Sequence, residues 1–324
     1  MDLNLFSTTL DRMVYLFLFI ALGYALMKMK LLPDNTNTVL SKLENLLFLP
    51  ALMLSTFMGS FTTEMLAVSG KLLLLSFCLE MLVIPLAILG ARLCFKGDYL
   101  RKIATYGLSF SNFGFMGNAV MQALFPEIFL EYSVFTLPLW ITIMLWGVPY
   151  LLICDSSDKK LTLKARLKPL LNPMIICMLI GMVLGLTGVS TVLPTSVSDV
   201  ITVTGSCMSP IAMLLTGITV AKTSLPLLLK KPRVYILTGI RLLLFPLVFI
   251  CIFAFIPKGS IITETFLICA SASLAMPLGL NTIVVPGAYG KDTTDAASMA
   301  LISHILSIIT IPIIFMLVSN LLLK

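Results

Sequence analysis

Ser109-Phe-Ser-Asn-Phe-Gly-Phe-Met-Gly-Asn118 lies in the middle of an apolar run at about residues 103–124. Ser271-Ala-Ser-Leu-Ala-Met-Pro-Leu-Gly-Leu-Asn-Thr282 lies in the middle of another, at about 264–287. Hydroxyls, amides, glycines and a proline interrupt both runs where a continuous lipid-facing helix would carry none. Non-helical backbone at membrane depth survives only where protein or a water-filled cavity satisfies its N–H and C=O groups. These two segments therefore predict two broken helices whose breaks cross near the middle of a membrane.

The composition requires a membrane. Of 324 residues, 59% are hydrophobic and 11% charged, against about 25% charged in an average soluble domain. The mean hydropathy is +1.06. Too few charged residues remain to cover a soluble surface, which excludes a soluble enzyme, a nucleic-acid binder and a disordered chain. With roughly 20 apolar residues per spanning helix, the chain reads as one polytopic membrane protein. The seven cysteines (78, 94, 154, 177, 207, 251 and 269) form no CxxC or Cys/His metal spacing and read as small membrane-embedded hydrophobes. Met13–Met27 is preceded by Asp2 and Asp11, followed by Lys28 and Lys30, and shows no small-residue cleavage site. It reads as a first span rather than a signal peptide.

Apolar runs lie at about 10–27, 39–58, 72–93, 103–124 and 132–154, then at 170–188, 196–221, 234–256, 264–287 and 294–322. That gives ten spans, five in residues 1–154 and five in 170–324, joined by a basic loop at 155–169. Assigned to alternate sides, 17 Lys and Arg fall in the loops after the odd-numbered spans and 4 on the other side. This bias places the first set of loops in the cytoplasm and both termini on the extracytoplasmic side of the cell membrane. It also accounts for the net charge of +7 without any nucleic-acid partner.

The two halves repeat landmarks at nearly constant separation. Pro33 and Pro194 are 161 apart, Pro50 and Pro210 160, and Pro85 and Pro246 161. Ser109-x-Ser111 and Ser271-x-Ser273 are 162 apart, as are Gly117 and Gly279, and Pro149 and Pro312 are 163 apart. An odd number of spans per half makes the repeats inverted, an architecture of secondary transporters.

A broken helix exposes an amino end that carries about half a positive charge and suits an anionic group. Asn112, Asn118, Asn281 and Thr282 are candidate donors there; the alternative is that small and polar residues only let helices pack closely. Glu80 and Arg241 lie within spans at equivalent positions, 161 apart. Buried charge is costly and calls for partners. They can pair with each other, or Arg241 can hold a substrate carboxylate while Glu80 carries a coupling proton; a structural pair or a snorkelling Arg is the plainer reading. His304, the only histidine, reads as a helix-packing donor or as a proton relay. No zinc or di-metal cluster and no GxSxG, HExxH, Walker or GxGxxG context is present, so neither enzymatic chemistry nor a cofactor is expected. The other functional class left open is a membrane ligand sensor or scaffold that binds without moving its ligand.

Ser111-Asn-Phe-Gly-Phe-Met-Gly117, Ala275-Met-Pro-Leu-Gly-Leu-Asn281 and Ala288-Tyr-Gly-Lys-Asp292 together resemble the auxin efflux carrier family, in particular its bacterial members. Ser303, Ser307 and Ile311-Pro312 in the last span, Leu49-Pro50-Ala51-Leu52 and Asn172-Pro173 resemble the same family. The resemblance implies ten helices in two inverted five-helix repeats, with broken, crossed fourth and ninth helices, as in bile-acid and sodium symporter-like folds. Spans one, two, six and seven would form a scaffold and homodimer interface, and spans three to five and eight to ten a transport domain. The implied activity is export or uptake of a small organic anion: a carboxylate such as malate or malonate, or an auxin-like acid. A carrier of an uncharged or amino-acid substrate stays open, and any coupling ion would be a proton or sodium. Ser111, Asn112, Gly114, Gly117, Asn118, Ser273, Pro277, Gly279, Asn281 and Thr282 are the expected substrate-site residues, with Asn112, Gly117, Pro277 and Asn281 carried over by position. Many family members have a proline shortly after the fourth-span Gly motif; this chain has Asn118-Ala119.

Overall fold

The computed structural model describes residues 3–153, 173–222, 231–256, 259, 262–288 and 291–323. The basic loop at 155–169, Cys154 and Asn172 lie outside the described residues. The chain is all-helical, without a strand among the described residues.

In chain order the helices are α1 (Leu3–Lys28), α2 (Thr36–Ser60), α3 (Thr63–Cys94), α4 (Asp98–Ser109), α5 (113–124) and α6 (Pro126–Ile153). They continue as α7 (Pro173–Thr187), α8 (Thr195–Ala221), α9 (Pro232–Phe253), α10 (Glu264–Ala275), α11 (Asn281–Ala288) and α12 (Thr294–Leu321). Seven of these, α1, α2, α3, α6, α8, α9 and α12, are long and apolar enough to cross a membrane, and α7 and α10 are shorter apolar helices.

α1 runs along residues 208–221 of α8 and also packs against α12, while residues 49–60 of α2 pack against α7 and against 195–206 of α8. α3 packs on α4 and α6, and α12 also on α9 and α10. Glycine sets the closeness of α1 to α8. A Cβ at Gly217 would overlap the Ile20 carbonyl oxygen, and one at Gly23 the Leu214 carbonyl oxygen, so α1 and α8 cross backbone to backbone. Such closeness is what small residues provide in lipid, where hydrophobicity alone does not drive helices together.

Several helices are locally underwound into π turns, at Glu44–Phe48 in α2, Phe113–Gly117 in α5, Ile143–Ile153 in α6 and Ile240–Leu244 in α9. π-Bulges cluster at functional sites; the first, second and fourth of these carry Glu44, the Phe113–Gly117 motif and Arg241. At the start of α12, outside the apolar segment, Asp292 caps the helix. Its Oδ1 accepts the Thr294 N–H at 2.9 Å and the Thr294 hydroxyl at 2.7 Å, bonds that hold the carboxyl below the usual carboxylate range.

Candidate functional site: a crossover of two helix breaks

α4 ends at Ser109, and Phe110 adopts an extended conformation (φ −118°, ψ 106°). α10 ends at Ala275, and Met276 is likewise extended (φ −67°, ψ 148°). The two interruptions meet. Ser111 and Leu278 form an isolated antiparallel bridge, and the Asn112 N–H donates to the Pro277 carbonyl at 2.7 Å. A Cβ on Gly279 would come within 3.2 Å of the Phe110 carbonyl oxygen and 3.3 Å of that of Ser111, so this close approach favours glycine. The breaks predicted from residues 109–118 and 271–282 thus satisfy each other's backbone, as buried polar groups must.

Proline chemistry explains one half of the arrangement. In a continuous helix the N–H of residue 277 would bond the carbonyl of Ser273, but proline has none. The Ser273 carbonyl instead accepts the Ser111 hydroxyl at 2.7 Å and Arg241 Nη2 at 2.8 Å. Arg241 is 1% exposed and also donates from Nη1 to Leu108 O (2.9 Å) and from Nε to Met276 O (3.2 Å). One guanidinium therefore closes the carbonyl ends of both α4 and α10, where helix dipoles favour a cation. Arg241 and Glu80 form no ion pair.

His304 is placed at the same junction. Its Nδ1 is 2.7 Å from the Ala300 carbonyl, which can only accept, so Nδ1 carries the proton. Nε2, 3.0 Å from Asn112 Nδ2, is then the acceptor of the Asn112 amide. Below them the Ser303 hydroxyl accepts the Leu278 N–H at 3.2 Å. Asn281 donates from Nδ2 to the Tyr106 hydroxyl at 3.0 Å, which links α11 to α4, and Thr282 turns back to cap Gly279 O at 2.8 Å. Gly114 and Gly117 make room for neighbours: a Cβ at Gly114 would overlap the Trp140 ring and one at Gly117 the Tyr132 hydroxyl. Tyr132 donates that hydroxyl to Phe113 O at 3.1 Å.

All of Ser111, Asn112, Asn118, Ser273 and Thr282 are buried, whereas Asn281 is only partly so. Residues 113–117 of α5 pack against 208–221 of α8. Beside α11 opens a cavity of about 570 Å³, between α11, the start of α2 and the end of α8. It is lined by Asn37, Ser41, Lys42 and Asn45 of α2, Thr219 and Lys222 at the end of α8, and Ile283 and Gly287 of α11. Neither lysine is in an ion pair among the described residues. A smaller cavity of about 300 Å³ lies at the other end of α2, lined by Thr56, Ser60, Glu127 and Glu131 among others. The polar wall of α2 is a signal that the apolar-run reading passed over. Asn37, Ser41 and Asn45 recur every four residues, as do Thr38 and Lys42, a polar stripe at helical spacing. Glu44, fully buried with both carboxylate oxygens unpartnered, was equally visible in the sequence within the second apolar run.

A polytopic helical protein whose paired helix breaks cross beside a polar cavity has the architecture of a membrane transporter. The family comparison agrees: the model for the family described as "Membrane transport protein" matches residues 8–315. The chain belongs to that family, the auxin efflux carrier family that its motifs resemble. No curated protein matches it.

Proposed function

We propose that this protein is a secondary transporter that carries a small organic anion, a carboxylate of the malate or malonate type, across the cell membrane by alternating access. The observation that carries this reading is the polarity of the crossover. Arg241 is committed to the carbonyl ends of α4 and α10. The amino end of α5 packs against α8, and α11 contributes Ile283 and Gly287 to the cavity that holds Lys42 and Lys222. Helix amino ends and basic side chains both favour an anion.

In this reading α4 with α5 makes the fourth span, α7 the sixth and α10 with α11 the ninth, which completes ten spans in two inverted repeats. α1, α2, α7 and α8 serve as scaffold and dimer contact, and the other helices move as the transport unit. With both termini extracytoplasmic, the larger cavity opens to the cytoplasm, and the smaller one at the opposite end of α2 marks where the outward path forms. Alternating access then exchanges the two openings as the crossover shifts along α2 and α8.

The test is thermal stability of the purified protein in detergent against malate, malonate, indole-3-acetate and neutral amino acids. A ligand that binds only the folded state stabilises it by about 2.7 kcal/mol at a hundredfold excess over its Kd. Malate or malonate should raise the unfolding temperature in wild type and do so less in the double variant Lys42→Gln, Lys222→Gln. A shift with amino acids and none with any acid would overturn the anion assignment.

A further inference from the structure

At the crossover, among α3, α4, α6, α9 and α10, lies a second and much smaller pocket. Its volume is about 20 Å³, room for one water molecule. Its polar lining is Ser76 and Glu80 of α3, Ser109 of α4, Arg241 of α9 and Ser273 of α10; α6 contributes Phe135 and Leu139. Glu80 is 4% exposed, and neither of its carboxylate oxygens has a hydrogen-bond partner. The Ser109 hydroxyl beside it is also unpartnered. Ser76 gives its hydroxyl to Phe135 O, and Thr142 of α6 is the polar side chain turned toward the carboxyl.

No cation touches the Glu80 carboxyl, and an ionised carboxylate held so costs several kcal/mol. Of the side chains that α3, α4, α6, α9 and α10 turn into the enclosure, the ionisable ones are Glu80 and Arg241. Farther back, Tyr132 of α6 lies within electrostatic reach of Arg241, and Cys269 of α10 within reach of Tyr132. If Glu80 loses its proton, the one cation that can answer the new charge is therefore Arg241. That guanidinium is the clamp on Leu108 O, Ser273 O and Met276 O.

We infer that Glu80 is a proton-binding site coupled to the crossover. With the proton bound, Arg241 stays on the carbonyl ends of α4 and α10 and the crossover is locked. When the proton passes to water, the carboxylate draws the guanidinium into the enclosure and the lock loosens. Arg241 remains cationic throughout, so one proton and no other charge is exchanged. The inference rests on the transporter reading for its purpose, proton-coupled movement of the anion, although the site itself requires no substrate.

Two readouts separate these layers. The first uses purified wild type, Glu80→Gln and Glu44→Gln without substrate, with infrared absorption of the protonated carboxyl followed from acid to alkaline buffer. Amide hydrogen exchange at residues 108–112 and 276–280 is followed in the same buffers. Alkali should bleach a carboxyl band and, with each rate divided by the intrinsic base-catalysed rate at its pH, lower protection at these segments about tenfold in wild type and in Glu44→Gln; Glu80→Gln should lack that band and keep its protection. Ser109→Ala, which keeps the carboxyl but strips a hydroxyl from its enclosure, should move the pH midpoint of both signals together. Unchanged behaviour in Glu80→Gln, or loss of both signals in Glu44→Gln instead, overturns the assignment, as does an unmoved midpoint in Ser109→Ala should Glu80→Gln fail to fold. The second readout is labelled malate in proteoliposomes. A pH gradient should drive accumulation in wild type, whereas Glu80→Gln, whose neutral side chain leaves the crossover locked, should neither accumulate nor exchange malate; gradient-driven accumulation in that variant overturns the coupling. Absence of malate movement in wild type would count against the substrate reading and leave the first readout to decide Glu80.

Discussion

Residues 113–117 and 275–279 occupy equivalent places in the two halves of the sequence, 162 apart, yet the backbone treats them differently. The first is wound into a π turn, with the Gly117 N–H reaching back to Asn112 O at 2.9 Å. The second is unwound from Met276 onward. The position that holds Pro277 in the second half holds Phe115 in the first. Where the proline removes an N–H, no helical bond can form and the chain stays extended. Where every N–H is present the chain winds, and the extended stretch is displaced one turn earlier, to Phe110–Ser111. One break is thus enforced covalently, while the other is held by side chains: Ser111 on Ser273 O, Asn112 on His304 and Tyr132 on Phe113 O. A near-symmetric sequence therefore builds an asymmetric crossover, with Arg241 serving both halves from one side.

That shared clamp gives the largest expected effect. Arg241→Met fits the volume but withdraws three charge-assisted donors from buried carbonyls, each worth about 1.5–3 kcal/mol. Unfolding in detergent should show a loss of at least about 3 kcal/mol, and exchange should quicken at the ends of both α4 and α10. Arg241→Lys keeps the charge but not the planar fork and should recover only part of the loss. Protection lost at α10 alone would show that the guanidinium serves the second break only, and the asymmetry would run the other way.

A smaller difference should separate the two asparagines. Asn112→Ala leaves His304 Nε2 buried without its donor and should cost about 1–3 kcal/mol, with labelled malate uptake abolished while membrane insertion is intact. Asn281 is partly exposed and bonds the Tyr106 hydroxyl at the rim, so Asn281→Ala should cost about 1 kcal/mol and leave measurable uptake. Equal losses would mean that the proline-enforced break depends on its side chains as much as the other does.

How far this arrangement could be read from residues alone differs from element to element. The two interruptions were legible because polar and small residues stand out against an apolar run, and the 161–162 spacing tied them together. The antiparallel contact of Ser111 with Leu278 follows from that reading, since each break must satisfy its backbone somewhere. The role of Arg241 was not legible: a buried arginine suggests an acidic partner, and Glu80 stood at the equivalent position. Its actual partners are main-chain carbonyls, which leave no mark in side-chain identity. Much the same holds for Gly114 and Gly117. Their motif made them expected substrate-site residues, and the structure adds a packing reason for glycine there, the Trp140 ring and the Tyr132 hydroxyl of the next helix. The basic cavity was missed because its polar stripe, Asn37-Ser41-Asn45, begins a helix whose average hydropathy is high enough to span.

The smallest expected change in stability comes from the residue that most distinguishes the halves. Pro277→Ala supplies an N–H that can bond the Ser273 carbonyl and favours winding of 275–279, a main-chain gain of about 1 kcal/mol. Against it, the Ser111 hydroxyl and Arg241 must share or surrender that carbonyl, and the Asn112 N–H loses the extended strand it pairs with. These terms nearly cancel, so unfolding in detergent should move by less than about 1 kcal/mol. The geometry should change far more: exchange at the Asn112 amide should accelerate while amides 277–279 become protected, as expected for a π or α turn like that of 113–117. If the Asn112 amide stays protected, the extended conformation of the second break is imposed by the pairing across the crossover and by Ser303, and the missing N–H of Pro277 is not its cause.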